Sequence, residues 1–136
     1  MTQTVSLALI GFGEVGKIFA REFLATGAAS VAVYDLLLDD PVKGPPMRAF
    51  AAQIGARTAA SAAEAARDAR IVISAVTASS VLNVAKDAAG YLHQGQIFFD
   101  INSASPVTKK AAAALVTAAA FFVTGEAELM SKKICP

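Results

Sequence analysis

Residues 7–19, LALIGFGEVGKIF, place three glycines between two apolar stretches. Before them, Val5 to Ile10 forms a short and nearly continuous apolar run, which is typical of a strand covered on both faces in a parallel sheet. After them, residues 14–26 carry apolar side chains at spacings of three and four, which predicts a helix. Gly11, Gly13 and Gly16 therefore lie in a turn that joins a strand to a helix.

The predicted helix after this turn should bury one apolar stripe and end at Gly27. The members of that stripe are Val15, Ile18, Phe19 and Phe23.

The alternation of strands and helices continues along the chain. Further strands are predicted at 30–35, 70–76 and 96–101, and helices at 47–55, 61–69, 79–92 and 105–120. Ser61 and Glu64 form a capping box at the start of one helix, and Ser105 with Pro106 starts another. Residues 36–46 are predicted as a loop punctuated by proline and glycine. Such alternation is typical of an α/β Rossmann-type fold, a doubly wound parallel sheet.

Composition excludes several classes of protein. With 136 residues, 12 basic and 11 acidic side chains and a net charge of +1, the chain fits one domain and carries no basic patch for nucleic acid or membranes. No apolar run reaches the roughly 18 residues of a membrane span. The single Cys135 has no partner for an internal disulfide, and no signal peptide is recognisable, so we expect a soluble, cytoplasmic protein without a metal site.

An acidic residue completes the pattern around the glycines. Asp35 ends the second predicted strand, 19 residues after Gly16. A strand, three glycines, a helix and a strand-end acid at this distance predict a dinucleotide site. The helix start would hold the diphosphate, and Asp35 would accept hydrogen bonds from the adenine ribose and repel a 2′-phosphate, which favours NAD over NADP. The predicted cofactor-binding residues here are Gly11, Phe12, Gly13, Glu14, Val15, Gly16 and Asp35.

Two alternatives remain for this pattern. In the simpler alternative, Asp35 is an exposed acidic residue at the end of a strand and binds no ligand. In the other, the site takes S-adenosylmethionine, since methyltransferases use a glycine turn and a strand-end acid in the same fold.

A second motif begins within the fourth predicted strand, in FFDINSASPVTKK, residues 98–110. Together with GFGEVG, it resembles the β-hydroxyacid dehydrogenase family, which includes 3-hydroxyisobutyrate dehydrogenase and 6-phosphogluconate dehydrogenase-like oxidoreductases. The family's short signature after a sheet strand is matched by Asp100, Asn102, Ser103 and Pro106. The resemblance extends to about Phe122.

The resemblance implies roles for several residues. Ser103 and Asn102 would hold the substrate carboxylate or hydroxyl beside the nicotinamide, at the sheet edge where ligands bind in this fold. Residues Ala75, Val76 and Thr77 would line the ribose of the cofactor. For Ser105, helix capping is the preferred interpretation.

Other conspicuous residues have plainer interpretations. His93 is predicted to be a surface histidine in a turn, and Lys109 and Lys110 to lie on a solvated helix face. Glu14 should point outward or favour the helix dipole. The phenylalanine pairs 98–99 and 121–122 are predicted to be core.

The family pattern is not matched after Val123. Family members continue into a helical domain with a catalytic lysine, and Lys132 and Lys133 lack the context of that lysine. We therefore expect an NAD-binding domain at 1–123 followed by a divergent tail at 124–136, with no catalytic residue in this chain. The complete protein is expected to be an NAD-dependent oxidoreductase that acts on small hydroxy acids. This chain would then be a truncated form of it, or a partner chain would supply the missing domain. A homo-oligomer is a further alternative. A noncatalytic NAD-binding module is the alternative.

Overall fold

Parallel strands alternate with helices in the computed structural model, which describes residues 4–27 and 29–124. The strands are β1 (Val5–Ile10), β2 (Ala29–Tyr34), β3 (Arg57–Thr58), β4 (Ile71–Ser74), β5 (Ile97–Asp100) and β6 (Phe121–Thr124). The α-helices are α1 (Glu14–Ala25), α2 (Gly44–Ile54), α3 (Ala62–Ala66), α4 (Val81–Tyr91) and α5 (Pro106–Val116). Short 3₁₀ turns at Leu36–Asp39 and Ala78–Ser80 precede α2 and α4.

The strands form one six-stranded sheet in the order β3-β2-β1-β4-β5-β6, and every neighbouring pair is parallel. Successive strands are added toward one edge from β1 to β3 and toward the other edge from β4 to β6, so β1 and β4 lie side by side although β2 and β3 come between them in sequence. This arrangement is the doubly wound Rossmann order, so the predicted fold class is confirmed.

Two apolar clusters cover the two faces of the sheet. Leu7 and Leu9 of β1 face the cluster built with α1 and α2, whereas Ala8 and Ile10 face the cluster built with α3, α4 and α5. All four side chains are buried. A strand covered on both faces needs apolar residues at every position, and this explains the continuous run in the sequence.

Several boundaries differ from the predicted ones. Helix α2 begins three residues early, at Gly44, because its two prolines occupy the first turn, where no backbone N–H is needed. Helices α3 and α5 are shorter than predicted, and β4 ends at Ser74. The strand β3, with two exposed residues, has no apolar pattern by which it could be predicted.

The predicted buried stripe of α1 is wrong in half of its members. Val15 and Ile18 are 53% and 52% exposed, while Phe19 and Phe23 pack partly against the core. The buried residues of the helix are Gly16 and Ala20. Close contact between Gly16 and the carbonyl of Gly11 sets the rotation of α1, and that rotation turns Val15 and Ile18 outward.

Two further predictions need correction. Phe98 and Phe122 stack in the core, but Phe121 is 68% exposed, because neighbouring residues of a strand point to opposite faces. Lys110 is exposed as predicted, whereas Lys109 is 1% exposed and lies in the interior. Lys109 lies one turn before Ala112 on the buried face of α5, and this helical spacing places it inward.

Within residues 4–27 and 29–124, no helix is long and apolar enough to cross a membrane. The predicted tail lies outside the described residues, apart from Thr124, which is the last residue of β6.

Candidate functional site

The carboxyl ends of four strands bring the predicted site residues to one edge of the sheet. Gly11 follows β1, Asp35 follows β2, Ala75 follows β4 and Asn102 lies two residues after the end of β5. The glycine turn is held from both sides, since Gly11 N–H donates to Tyr34 O at 2.7 Å and Ala75 N–H donates to Ile10 O at 2.8 Å. In an open α/β sheet, the crevice at the reversal point is where ligands bind.

The chain's own packing requires two of the three glycines. Gly11 has φ +104°, and a Cβ there would overlap the carbonyl group of Ala75. A Cβ on Gly16 would overlap the carbonyl oxygen of Gly11. These glycines therefore serve the tight turn and the close approach of α1 to the turn.

The middle glycine is different. Gly13 has an ordinary extended backbone with φ −80°, and nothing lies within 4 Å of a Cβ built on it. The fold without a ligand thus places no restriction on a side chain here. Glycine at this position leaves the backbone surface accessible to a ligand.

The start of α1 also lacks a side-chain cap. Gly13 is its N-cap and offers no side chain. Helices α2 and α4 also lack a side-chain cap, whereas the hydroxyls of Ser61 and Ser105 cap α3 and α5 by accepting hydrogen bonds from Glu64 N–H at 3.1 Å and Thr108 N–H at 3.2 Å. The first N–H groups of α1 have no partner within the helix. Together with the helix dipole, they form a site suited to an anion.

Asp35 lies directly beside this turn. Its Oδ2 accepts a hydrogen bond from Phe12 N–H at 2.7 Å, and its Oδ1 accepts one from Leu37 N–H at 2.8 Å. A carboxylate has about four lone-pair sites, so each oxygen keeps capacity for another donor. Asp35 is therefore more than a surface acid at a strand end, because it also fixes the turn.

The variable residues of the motif point in different directions. Phe12 is fully buried and contacts Phe50 with ring centroids 5.9 Å apart, so only its backbone belongs to the turn. Glu14 is exposed in the first turn of α1, in agreement with the prediction that it points outward. Val15 is exposed at the same helix start.

Asn102 connects the loops after β4 and β5. Its Oδ1 accepts a hydrogen bond from Val76 N–H at 2.6 Å, and its Nδ2 donates to Ser74 Oγ at 3.0 Å. Asn102 is 6% exposed. The structure thus brings the predicted cofactor segment 75–77 and the predicted substrate residues 102–103 together.

Two serines of this region differ in their contacts. Ser103 is exposed, and no hydrogen bond of its hydroxyl is found among the described residues. Ser105 caps α5, as predicted. Of the two hydroxyls, that of Ser103 is free to meet a ligand.

An ion pair below these loops was not foreseen from the sequence. Lys109 Nζ lies 3.1 Å from Asp100 Oδ1, and both side chains are buried. Asp100 was recognised only as part of the family signature. The signal that could have revealed the pair is the spacing of Lys109, Ala112 and Val116, which share the buried face of α5.

The remaining polar features lie elsewhere. His93 is exposed in a turn with Nδ1 3.1 Å from Gln94 O, as predicted. Two open surface cavities of about 440 and 450 Å³ lie at the opposite edge of the sheet, around the amino ends of the strands. No cluster of metal-ligating side chains occurs in the part of the chain that the structure describes.

The geometry of the glycine turn fits a dinucleotide, since the turn combines open space at Gly13, N–H groups of α1 that have no partner within the helix, and a neighbouring carboxylate. Comparisons with known proteins agree with this fit. Residues 6–125 match the family model of the NAD binding domain of 6-phosphogluconate dehydrogenase. No curated protein sequence matches the chain significantly.

Solved structures share the fold. A conserved hypothetical protein from Sinorhizobium meliloti superposes with a TM-score of 0.84 and 33% identity, over 90% of this chain and 41% of that one. Mycobacterium tuberculosis 3-hydroxyisobutyrate dehydrogenase, solved with L-serine, superposes with a TM-score of 0.76 and 22% identity, over 90% of this chain and 40% of that one. A reductive aminase from Aspergillus terreus, solved with NADPH and ethyl-5-oxohexanoate, superposes with a TM-score of 0.69 and 20% identity, over 90% of this chain and 40% of that one.

The chain thus spans about two fifths of the length of these proteins. Because the family model covers most of the chain, it selects NAD(P) binding over the methyltransferase alternative. The chain belongs to the family of the NAD binding domain of 6-phosphogluconate dehydrogenase.

Proposed function

We propose that this chain binds NAD in the turn after β1 and serves as the nucleotide-binding part of an oxidoreductase acting on a small hydroxy acid. The observation that carries the proposal is Gly13, a glycine that the fold itself does not require. Backbone N–H groups at the start of α1 would hold the diphosphate of the cofactor.

The preference for NAD rests on Asp35. Its carboxylate lies beside the turn and keeps capacity to accept hydrogen bonds from ribose hydroxyls. The same charge would repel a 2′-phosphate. Since the Aspergillus terreus enzyme was solved with NADPH, both nucleotides belong in any test.

Ser103 and Asn102 are the proposed substrate residues. The exposed Ser103 hydroxyl would bind the carboxylate or hydroxyl of the acid, while Asn102 holds the loop through Val76 and Ser74. L-serine in the Mycobacterium tuberculosis structure, a small molecule with both groups, supports this substrate class. When bound, the nicotinamide exchanges a hydride with the carbon that carries the substrate hydroxyl.

The second candidate is a nucleotide-binding module without turnover. It is favoured because the resemblance places the residues that close the site and move the substrate proton in a helical domain, and residues 124–136 do not match the pattern of that domain. General acid–base catalysis contributes about a hundred- to ten-thousand-fold to rates, so this chain alone should turn over slowly or not at all. Those residues would belong to the rest of a longer protein or to a partner chain.

Calorimetric titration with NAD and NADP tests the proposal. Gly13→Ala places one methyl group where the cofactor would approach, and Gly90→Ala is the matched control, since nothing lies within 4 Å of a Cβ there either. We expect both variants to stay folded at the titration temperature, with Gly90→Ala melting slightly higher because alanine favours a helix interior. Only Gly13→Ala should lose NAD affinity, by about tenfold or more. Equal NAD affinity in the two variants, or no binding of either nucleotide to the unmodified protein, would overturn the proposal.

A further inference from the structure

A gain in stability does not by itself explain the buried ion pair between α5 and β5. Lys109 and Asp100 are 0% and 1% exposed at their side chains, and Lys109 Nζ lies 3.1 Å from Asp100 Oδ1 and 3.5 Å from Asp100 O. Removing two charges from water is costly, and the attraction between buried charges often does no more than offset that cost. The other contacts of the pair are therefore informative.

The carboxylate oxygen that meets Lys109 also holds the loop after β5. Asp100 Oδ1 accepts a hydrogen bond from Asn102 N–H at 2.8 Å. Asp100 Oδ2, in contrast, has no hydrogen-bond partner among the described residues. The orientation of the carboxylate thus depends on two donors that meet at one oxygen, and Lys109 is the charged one.

Asn102 in turn forms hydrogen bonds to the end of β4 and to the loop that follows it. Its side chain accepts from Val76 N–H at 2.6 Å and donates to Ser74 Oγ at 3.0 Å. Contacts therefore run without interruption from Lys109 through Asp100 and Asn102 to the segment 75–77.

We propose that Lys109 is a positioning residue for both ligand-binding loops. By turning Asp100 Oδ1 toward Asn102 N–H, it fixes Asn102 and thereby places segment 75–77 and the neighbouring Ser103. This inference rests on the proposed function, in which those loops line the cofactor and the substrate. Lys109 itself is 1% exposed, so it would not contact either ligand.

A structural role alone makes a different prediction from a positioning role. If Lys109 only neutralises Asp100, it has no use once Asp100 is replaced by neutral asparagine, and it then becomes an unpaired buried charge. If Lys109 positions the residue, its ammonium still draws the carboxamide oxygen of that asparagine toward Asn102 N–H. The informative comparison is therefore between Asp100→Asn and the double variant Asp100→Asn/Lys109→Met.

The experiment measures thermal melting, NAD affinity by calorimetry, and amide hydrogen exchange at Val76 and Asn102 by NMR. We expect the double variant to melt at a higher temperature than Asp100→Asn, because it lacks the unpaired buried charge. Its NAD affinity should nevertheless be about tenfold lower than that of Asp100→Asn, as for the loss of one positioned hydrogen bond, and amide exchange at Val76 and Asn102 should be faster. Lys110→Met, on the exposed neighbour, should change none of the three.

Equal or tighter NAD binding by the double variant, with unchanged exchange, would overturn the positioning role. If the asparagine variants do not fold, Lys109→Met is compared with Lys110→Met below its melting temperature, and unchanged amide exchange at Val76 and Asn102 would overturn the positioning role. If the unmodified protein binds neither nucleotide, the proposed function fails, whereas the exchange rates still decide whether Lys109 fixes the loops.

Discussion

The carboxylate of Asp35 accepts a 2.7 Å hydrogen bond from the backbone N–H of Phe12, 23 residues earlier in the chain. This contact joins the end of β2 to the glycine turn after β1. Asp35 therefore has a structural partner as well as a proposed ligand, and a loss of NAD binding in an Asp35 variant has two possible causes.

The ratio of NAD to NADP affinity separates those causes. Asp35→Asn leaves an acceptor for only one of the N–H groups of Phe12 and Leu37, which should weaken the binding of both nucleotides, but it also removes the charge that repels a 2′-phosphate. We expect NAD affinity to fall and the NAD to NADP ratio to fall about tenfold, measured by parallel titrations. An unchanged ratio with both affinities reduced would leave Asp35 only its role in the turn.

Gly16→Ala should destabilise the fold itself. Its methyl group would overlap the carbonyl oxygen of Gly11, and a backbone atom cannot give way as the end of a side chain can. We expect the free energy of unfolding to fall by about 3 kcal/mol in urea titrations. Gly13→Ala, with open space around it, serves as the control and should lose no more than about 1 kcal/mol, the cost of replacing a favourable N-cap residue by alanine.

Gln96 connects α3 to the turn before β5. Its Nε2 lies 2.7 Å from both Ala66 O and Ala69 O, its Oε1 accepts from His93 N–H at 3.0 Å, and the residue is 2% exposed. Gln96→Leu leaves these backbone groups without their partner, so we expect a loss of about 3 kcal/mol in the free energy of unfolding. The same substitution at exposed Gln94 should cost little, and similar losses at both positions would contradict this account.

The loop before α2 should become sensitive to acid. Hydrogen bonds from the N–H groups of Lys43 and Val42 hold the pKa of Asp40 below its ordinary value. Since the pKa is lower in the folded state, this contribution to stability is present above the unfolded pKa of about 3.9 and is lost as pH falls through the folded value.

NMR titration of the Asp40 carboxyl should therefore give a midpoint below that of a free aspartate. Asp40→Asn keeps an acceptor for both N–H groups but cannot titrate, so its melting temperature should fall less between pH 5 and about pH 2 than that of the unmodified protein. Parallel decreases would show that other carboxyls dominate.

Two serines test the division between capping and ligand binding. Ser105→Ala removes the hydroxyl that accepts from Thr108 N–H and should cost about 1 kcal/mol of stability. Ser103→Ala, at an exposed hydroxyl, should leave both the melting temperature and NAD affinity unchanged. Destabilisation by Ser103→Ala would show that its hydroxyl has a structural partner and would weaken its proposed role toward the substrate.

Short-range chemistry explains what could be predicted. A strand buried on both faces needs an uninterrupted apolar run, a tight turn needs Gly11, and a helix start benefits from Ser61 or Ser105. Each of these requirements is met within a few residues of sequence. The α/β class, the parallel sheet and the place of the glycine turn follow from them.

Long-range packing decided the rest. The alternation of four strands with helices and the chemistry of the turn could be predicted, because they depend on neighbours along the chain, whereas β3 and β6 were not among the predicted strands. Val15 turns outward because the rotation of a helix depends on what it packs against, which for α1 is the carbonyl of Gly11. Helical spacing fits Lys109 to the buried face of α5, but its pairing with Asp100 depends on how α5 packs on β5, which no local pattern specifies.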